Sequence, residues 1–380
     1  MGKIKQAVMA PLKRVVTAPL EGTGIVLNGP NPWDPQIKRD RAFLRVFLGG
    51  SIGLADSYRY GDWNCIDLAG LFARLAESDS ARNMQGIPGI ILDLQSRFMN
   101  LQDRGRSTRV AVHYNIGSAF YSKWLGSTMF YTCAYLGRDA TTLYQAQRDK
   151  AQIVGEKAGL KPGDRVLDVG CGFGSLGKYL AQQFGVTVVG ITIAEDQRVY
   201  ALEACAGLPV ENHICNYMDL IETFGLGSFD HVVSVGMFEA VGPKNFTVFM
   251  EQVMGVLKPG GRFVLHTIIG ARGPGQDPWI SRDIFPGGYL PTVAQIREMA
   301  GRYAILDEHF FGKYYYWTLC EWEENFRKAI PELLLMGYDE IFCRMWRYYL
   351  LQCAGLFRSG VTDLGQFVIS HEPMAYVPVR

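Results

Sequence analysis

Val166-Leu-Asp-Val-Gly-Cys-Gly-Phe-Gly-Ser175 decides how this chain folds. Val166, Leu167 and Val169 form a short apolar run, which predicts a buried strand. The run carries one acid, Asp168, and passes directly into Gly170, Gly172 and Gly174. Leu176, Tyr179, Leu180 and Phe184 then recur at helical spacing. Strand, glycine turn and helix make the opening unit of a doubly wound α/β sheet. The glycines let a ligand approach the backbone, and the helix N-terminus faces it.

Working outward, the pattern excludes an ordinary dinucleotide site. That fingerprint places a glycine three positions after Gly172, where this chain has Ser175. It also ends the next strand on an acid for the ribose, and Val186-Thr-Val-Val-Gly-Ile-Thr-Ile193 ends without one. The D-x-G-x-G-x-G form resembles instead the first motif of class I S-adenosylmethionine (SAM) methyltransferases. Further strands are predicted near Val210–Cys215, Phe229–Gly236 and Gly261–Ile268, with helices near Glu195–Cys205, Lys244–Val256 and Val293–Gly301. Such alternation predicts a parallel sheet covered on both faces. The tail reads as a long helical stretch, about Trp317–Phe357, and a last strand, Gln366–Ser370.

The 380 residues exceed one ordinary domain, so an accessory part is expected beside the sheet. Residues 1–105 are read as a helical N-terminal domain and 106–380 as the catalytic domain, with Asp103-Arg-Gly-Arg-Ser-Thr-Arg109 as linker. From Gln36 to about Arg97 the pattern is largely helical, interrupted at Gly49-Gly50 and Gly61. Residues 1–21 set Lys3, Lys5, Lys13 and Arg14 among Ile4, Val8, Leu12 and Val16. That fits a basic amphipathic helix on a membrane surface, although Pro11 and Pro19 count against a long one, and a frayed terminus fits as well.

Hydrophobic content of 48% and charged content of 20% describe a folded globular chain, and a net charge of +1 argues against nucleic acid as the main partner. Charges such as Arg45 and Asp93 break every apolar run before transmembrane length, and no secretory h-region opens the chain. The eight cysteines make no C-x-x-C pair and no metal-ligand spacing, so they read as reduced thiols in a cytoplasmic protein with no metal.

Ligands of such sheets sit beyond the carboxyl ends of the strands. Thr192 and Gln197 stand there after the second strand, and Asn216 and Tyr217 after the third. Glu239 follows the fourth strand and His266 ends the fifth. A capping glutamate or a core histidine needs no function by itself. The pair at the mouth of a SAM pocket reads as an acid/base constellation.

The ordered set of segments resembles the cyclopropane-fatty-acyl-phospholipid synthases, which are related to the mycolic acid cyclopropane synthases. They include Ser51-Ile-Gly-Leu-Ala-Asp-Ser-Tyr-Arg-Tyr-Gly-Asp62, His113-Tyr-Asn115, Tyr131-Thr-Cys-Ala-Tyr135, the glycine motif, Ser234–Asn245, Leu265-His-Thr-Ile268, Asp277-Pro-Trp-Ile280, Ile284-Phe-Pro-Gly287 and Cys353-Ala-Gly-Leu-Phe-Arg358. The resemblance runs from about residue 24 to the C-terminus. It implies methylenation of a cis double bond of a phospholipid acyl chain, with SAM giving the carbon and bicarbonate taking the proton. It implies a bicarbonate pocket at Cys133, Glu239, His266, Ile268 and Tyr315, with Cys133 and Ile268 acting through backbone groups. It puts Tyr131 and Thr132 beside Asp168 and the glycines at SAM. Cys353 becomes a candidate through its motif, though the chemistry asks for no thiolate and a structural cysteine reads better. The partner implied is a bilayer surface with unsaturated acyl chains, met peripherally at the inner face of the membrane; a homodimer stays open.

Tyr314-Tyr-Tyr-Trp317 reads as a packed aromatic strand or as ring faces near a cation. The chain departs from the family at Ala240, usually His, at Phe173, usually Trp, and at Asn216, usually Asp. The alternative product is therefore a methyl- or methylene-branched acyl chain.

Overall fold

The computed structural model describes residues 2–78, 116–273 and 275–380. The expected boundary at 105/106, the linker Asp103–Arg109 and the segment His113-Tyr-Asn115 lie outside the described residues, as does the helical stretch expected from 79 to about 97. The described residues form two compact units. One joins the N-terminal residues to Gln276–Pro286 and Leu319–Val361; the other takes the rest, including Gly287–Thr318 and Thr362–Arg380.

In the N-terminal unit, a helix spans Gly2–Thr17 and runs through Pro11, while Pro19 falls in a 3₁₀ turn after it. The stretch after Gln36 is less helical than its pattern predicts. Strand β1, Gln36–Ile37, pairs antiparallel with β2, Trp63–Asn64. Between them the helix Arg41–Arg59 does not stop at Gly49-Gly50; it kinks at Gly50, whose φ of 55° only glycine adopts readily. Asp62 has a fully buried side chain, and the Arg41 and Arg45 guanidiniums donate to it at 2.6 and 2.8 Å. Asp67 caps the helix Leu68–Glu77 by accepting from Gly70 N–H at 2.7 Å. The helix Glu340–Arg358 packs on that helix through Gly355, where a Cβ would lie 2.5 Å from Phe72 Cβ and 2.7 Å from the Ala69 carbonyl oxygen. Aromatic edges lock the unit, with Tyr348 at 5.4 Å from Tyr58 and 4.8 Å from Trp279.

The second unit is built on a seven-stranded sheet. Its strands are β3 (Arg165–Val169), β4 (Thr187–Thr192), β5 (Val210–Ile214), β6 (His231–Val235), β7 (Phe263–Gly270), β8 (Ala304–Phe310) and β9 (Thr362–Ser370), in the order β5-β4-β3-β6-β7-β9-β8. The first five are parallel, as alternation predicts. β9 runs antiparallel to both β7 and β8, so the sheet is mixed. Alternate residues feed two cores: Val232 belongs to one with Phe249, Val253 and Ile296, and Val233 to the other with Val154, Ala158 and Leu180.

Two local expectations are corrected. The run Tyr314–Trp317 is not a strand; it opens the helix Lys313–Leu335. The long tail helix is two helices, divided at Gly337, whose φ is +96°, and restarted by Asp339 accepting from Phe342 N–H at 2.6 Å.

Candidate active site

β3 ends at Val169, and the glycine turn folds back on β4: Gly170 and Cys171 N–H both donate to the Ile191 carbonyl, at 3.0 and 2.9 Å. Two positions require glycine. Gly170 has φ +88°, and a Cβ would lie 2.6 Å from Met237 Cβ. Gly172 has φ +54°, and a Cβ there would meet nothing within 4 Å, so its backbone faces open space. Asp168 is buried and its Oδ2 has no hydrogen-bond partner. Burial pushes its carboxyl up to about 7, although the Lys150 ammonium draws it down. Thr192 hydroxyl donates to Gln197 Oε1 at 2.9 Å, which joins the end of β4 to the next helix. Asn216 accepts from Met218 N–H at 3.0 Å, and the Tyr217 ring packs on Phe249.

Tyr131-Thr-Cys133 is held by groups far away in sequence. Lys150 Nζ donates to Thr132 Oγ1 at 2.7 Å and sits 3.4 Å from the Phe130 ring centroid. Gln147 donates to the Thr132 carbonyl at 2.9 Å, and Ala134 N–H to Thr318 Oγ1 at 3.1 Å. Thr132 also abuts the turn after β6, since a Cβ on Gly236 would lie 2.6 Å from Thr132 Cγ2. Cys133 between these anchors is fully buried, and burial pushes its thiol far up. A protonated thiol suits a backbone role. Tyr131 meets Tyr121, which in turn meets Phe173, at centroid distances of 5.2 and 5.5 Å.

The acid/base pair follows from strand register. β6 pairs with β7 only as far as Val235 opposite His266, and Gly236 N–H closes that ladder on the His266 carbonyl at 2.9 Å. Beyond it, the Ile268 N–H has no strand partner on that side, and Glu239 supplies one. Its Oε1 accepts from Ile268 N–H at 2.6 Å and from Thr267 hydroxyl at 3.0 Å. Its Oε2 is buried without a partner. Burial raises the Glu239 pKa, opposed by those hydrogen bonds. His266 is buried on the neighbouring strand; its Nδ1 lies 3.1 Å from Gln366 Nε2, and its Nε2 has no partner. Burial, with Lys150, Lys157 and His309 nearby, holds His266 well below the usual range, so the ring is neutral.

Tyr315 is largely buried in the first turn of its helix, Ile268 is half-buried, and both belong with Cys133, Glu239 and His266 to the sheet unit. Cys353 belongs to the N-terminal unit, where burial pushes its thiol up to about 12, so no thiolate is ready there. Thr267, Lys150, Thr318 and Gln366 escaped sequence reading. Only for Lys150 was there a signal, a lysine on an apolar helix face beside Ala146, Ile153 and Val154. Among the described residues no acidic, histidine or cysteine cluster could hold a metal, and no helix is long and apolar enough to cross a membrane.

A mixed sheet whose five parallel strands carry this glycine turn after β3 and polar groups on the carboxyl side of β4 to β7 defines a class I SAM-dependent methyltransferase. The mycolic acid cyclopropane synthetase family model matches residues 102–367. The cyclopropane-fatty-acyl-phospholipid synthase of Escherichia coli (strain K12) is 40% identical over 361 residues, 94% of this chain and 93% of that protein. The solved cyclopropane synthase MmaA2 from Mycobacterium tuberculosis superposes with a TM-score of 0.64 at 28% identity, covering 71% of this chain and 99% of that one. Mycolic acid cyclopropane synthase CmaA1, solved with SAH and CTAB, gives 0.63 at 28% identity over 69% of this chain and 97% of that one. This chain belongs to the cyclopropane synthase family, and it is an enzyme that uses SAM.

Proposed function

We propose that the enzyme converts a cis double bond of a phospholipid acyl chain into a cyclopropane ring, with bicarbonate bound beside Glu239 and His266. The observation that carries this reading is a pair of buried, unpartnered polar atoms, Glu239 Oε2 in the turn after β6 and His266 Nε2 on the neighbouring β7, where His266 lies inside the strand and not at its end as the sequence suggests. Buried polar atoms call for a partner, and a small oxyanion that both accepts and donates hydrogen bonds fits one donor and one shared-proton site.

The alkene attacks the SAM methyl group: a C–C bond forms, the C–S bond breaks, and the acyl chain is left as a carbocation. A proton then leaves the new methyl group and its C–H electrons close the ring. Bicarbonate, when bound, supplies the base for that proton. The chain's own residues hold the ion. Neutral His266 presents Nε2–H, and Glu239, with Oε1 fixed by Thr267 and Ile268, keeps Oε2 for a shared proton. A carboxylate raised by burial avoids the repulsion that two full anions would suffer. Asp168, the glycine turn, Thr192 and Gln197 would take SAM, with Tyr131, Thr132, Asn216 and Tyr217 around it.

The N-terminal unit supports a lipid surface as partner. Leu44, Phe47 and Leu48 lie at i, i+3, i+4 on the helix Arg41–Arg59 and are 47%, 50% and 51% exposed. Three large apolar residues on one exposed stripe suit insertion between lipids. The same unit holds a cavity of about 310 Å³, lined by groups including Phe43, Val46, Leu71, Leu75 and Leu356, a size and lining suited to an acyl chain.

Mass spectrometry of unsaturated phospholipid vesicles after incubation with SAM tests the reaction. A gain of one carbon with loss of the alkene is expected, and bicarbonate should restore activity in carbon-dioxide-depleted buffer. A gained carbon with the alkene retained would give the branched product that Ala240 and Phe173 leave open. Full activity in depleted buffer, with no response to bicarbonate, would remove the ion from the mechanism.

A further inference from the structure

β9 lies between β7 and β8, and its register places Gln366 opposite His266 on one side and His309 on the other. Gln366 is fully buried. Its Nε2 is 3.1 Å from His266 Nδ1, while its Oε1 has no partner. An amide nitrogen only donates, so the ring nitrogen it meets must accept. A neutral imidazole that accepts at Nδ1 carries its proton at Nε2. The reversed amide would leave a buried NH₂ group without an acceptor, which costs more than a carbonyl oxygen left unpaired.

We propose that Gln366 is a positioning residue that fixes the tautomer of His266, so that Nε2 carries the proton and is a donor before any ligand arrives. Among the described residues no other group hydrogen-bonds the His266 ring. On the far side of Gln366, His309 is occupied by Lys157, whose Nζ lies 3.2 Å from His309 Nδ1 and 3.2 Å from Asp307 Oδ2. The ring of Phe311, 5.7 Å away, packs against His266 but offers no hydrogen bond. The inference rests on the anion-holding role of His266 proposed above, but the tautomer is a property of the protein alone.

The test uses the full chain labelled with ¹⁵N-histidine, free of SAM and bicarbonate. Long-range ¹H–¹⁵N spectra distinguish the two neutral tautomers, and a His266→Asn sample identifies the signal. The expected result is a neutral ring protonated at Nε2. Gln366→Glu should move the proton to Nδ1, because a carboxylate accepts there, and Gln366→Met should leave a mixture. Either variant should raise the bicarbonate concentration needed for half-maximal rate about tenfold or more, with the KM for SAM within about twofold. An Nδ1–H tautomer in the wild-type protein overturns the inference whether or not the variants fold. So does a Gln366→Met protein with unchanged spectrum and unchanged bicarbonate response. If the wild-type ring is protonated at Nε2 yet bicarbonate neither shifts that signal nor affects the rate, the anion reading fails and the tautomer assignment stands.

Discussion

Replacing Glu239 separates what it does for the fold from what it does for the reaction. In Glu239→Gln the amide oxygen can still accept from Ile268 N–H and Thr267 hydroxyl, which now bond to Oε1 at 2.6 and 3.0 Å. Only Oε2, buried and unpartnered, changes to a nitrogen. Stability should therefore stay within about 1 kcal/mol of the wild type. Glu239→Ala leaves the Ile268 N–H without its acceptor and the Thr267 hydroxyl with only the Ile268 carbonyl oxygen, 3.3 Å away. A buried unsatisfied N–H costs about 1–3 kcal/mol, so at least that much should be lost. Turnover should behave differently. An amide donates a hydrogen bond but cannot take or share a proton, so Glu239→Gln should lose about 10²–10⁴ in rate. SAM affinity should change little, because the lost group acts in the transition state. Urea unfolding, calorimetric SAM titration and single-turnover lipid assays on the three proteins measure these quantities. Glu239→Gln as unstable as Glu239→Ala, or turning over within about tenfold of wild type, would refute the reasoning.

Gly172→Val should abolish SAM binding by calorimetry in a folded protein, since its side chain enters the open space beside the turn at φ +54°; unchanged affinity would move the site elsewhere. Phe47→Asp should lower activity on vesicles while leaving SAM affinity intact, because Phe47 is half-exposed on the apolar stripe; equal vesicle activity would exclude that stripe from the bilayer. Asp168 is raised from 3.8 to about 7 in the folded protein, so its contribution is full below pH 4 and is lost as pH rises through 7. Relative to Asp168→Asn, the ligand-free wild type should lose roughly 4 kcal/mol of stability between pH 4 and 8, read by urea titration at several pH values; parallel curves would show that Asp168 is already ionised in the fold.

Features set by single residues were legible in the sequence. Gly170 and Gly172 marked the turn where a ligand can approach the backbone, and the run from β3 to β7 announced itself by alternating with helices. Features set by pairing were not. β8 was not predicted: it carries Asp307, Glu308 and His309, whose partners are distant, since Asp307 takes Lys157 and Arg380, and Glu308 takes Arg297. The run Tyr314–Trp317 was ambiguous because aromatic residues suit both strands and buried helix faces. The N-terminal unit could not be delimited from sequence, since Gly355 joins it by packing on Phe72, a contact no local pattern shows. The same limit hid Gln366 and Thr267, whose importance comes from lying opposite or beside a residue already suspected.

Four buried ionisable groups around the site, Asp168, Glu239, Lys150 and His266, share one tendency. Burial raises Asp168 and Glu239 and lowers Lys150 and His266, so each is pushed towards its neutral form. A fold that buried four charges would need each one paired, and here the hydrogen-bond partners are neutral: Thr132 for Lys150, Thr267 and Ile268 N–H for Glu239, and Gln366 for His266. A pocket whose groups are pushed towards their neutral forms leaves charge to be brought by what binds. On the function proposed above, SAM would bring a sulfonium cation and bicarbonate an anion, and the two would compensate each other inside the low-dielectric site. On the mechanism proposed above, a Glu239 carboxyl pushed towards its neutral form would also be a poorer trap for a carbocation than a full carboxylate.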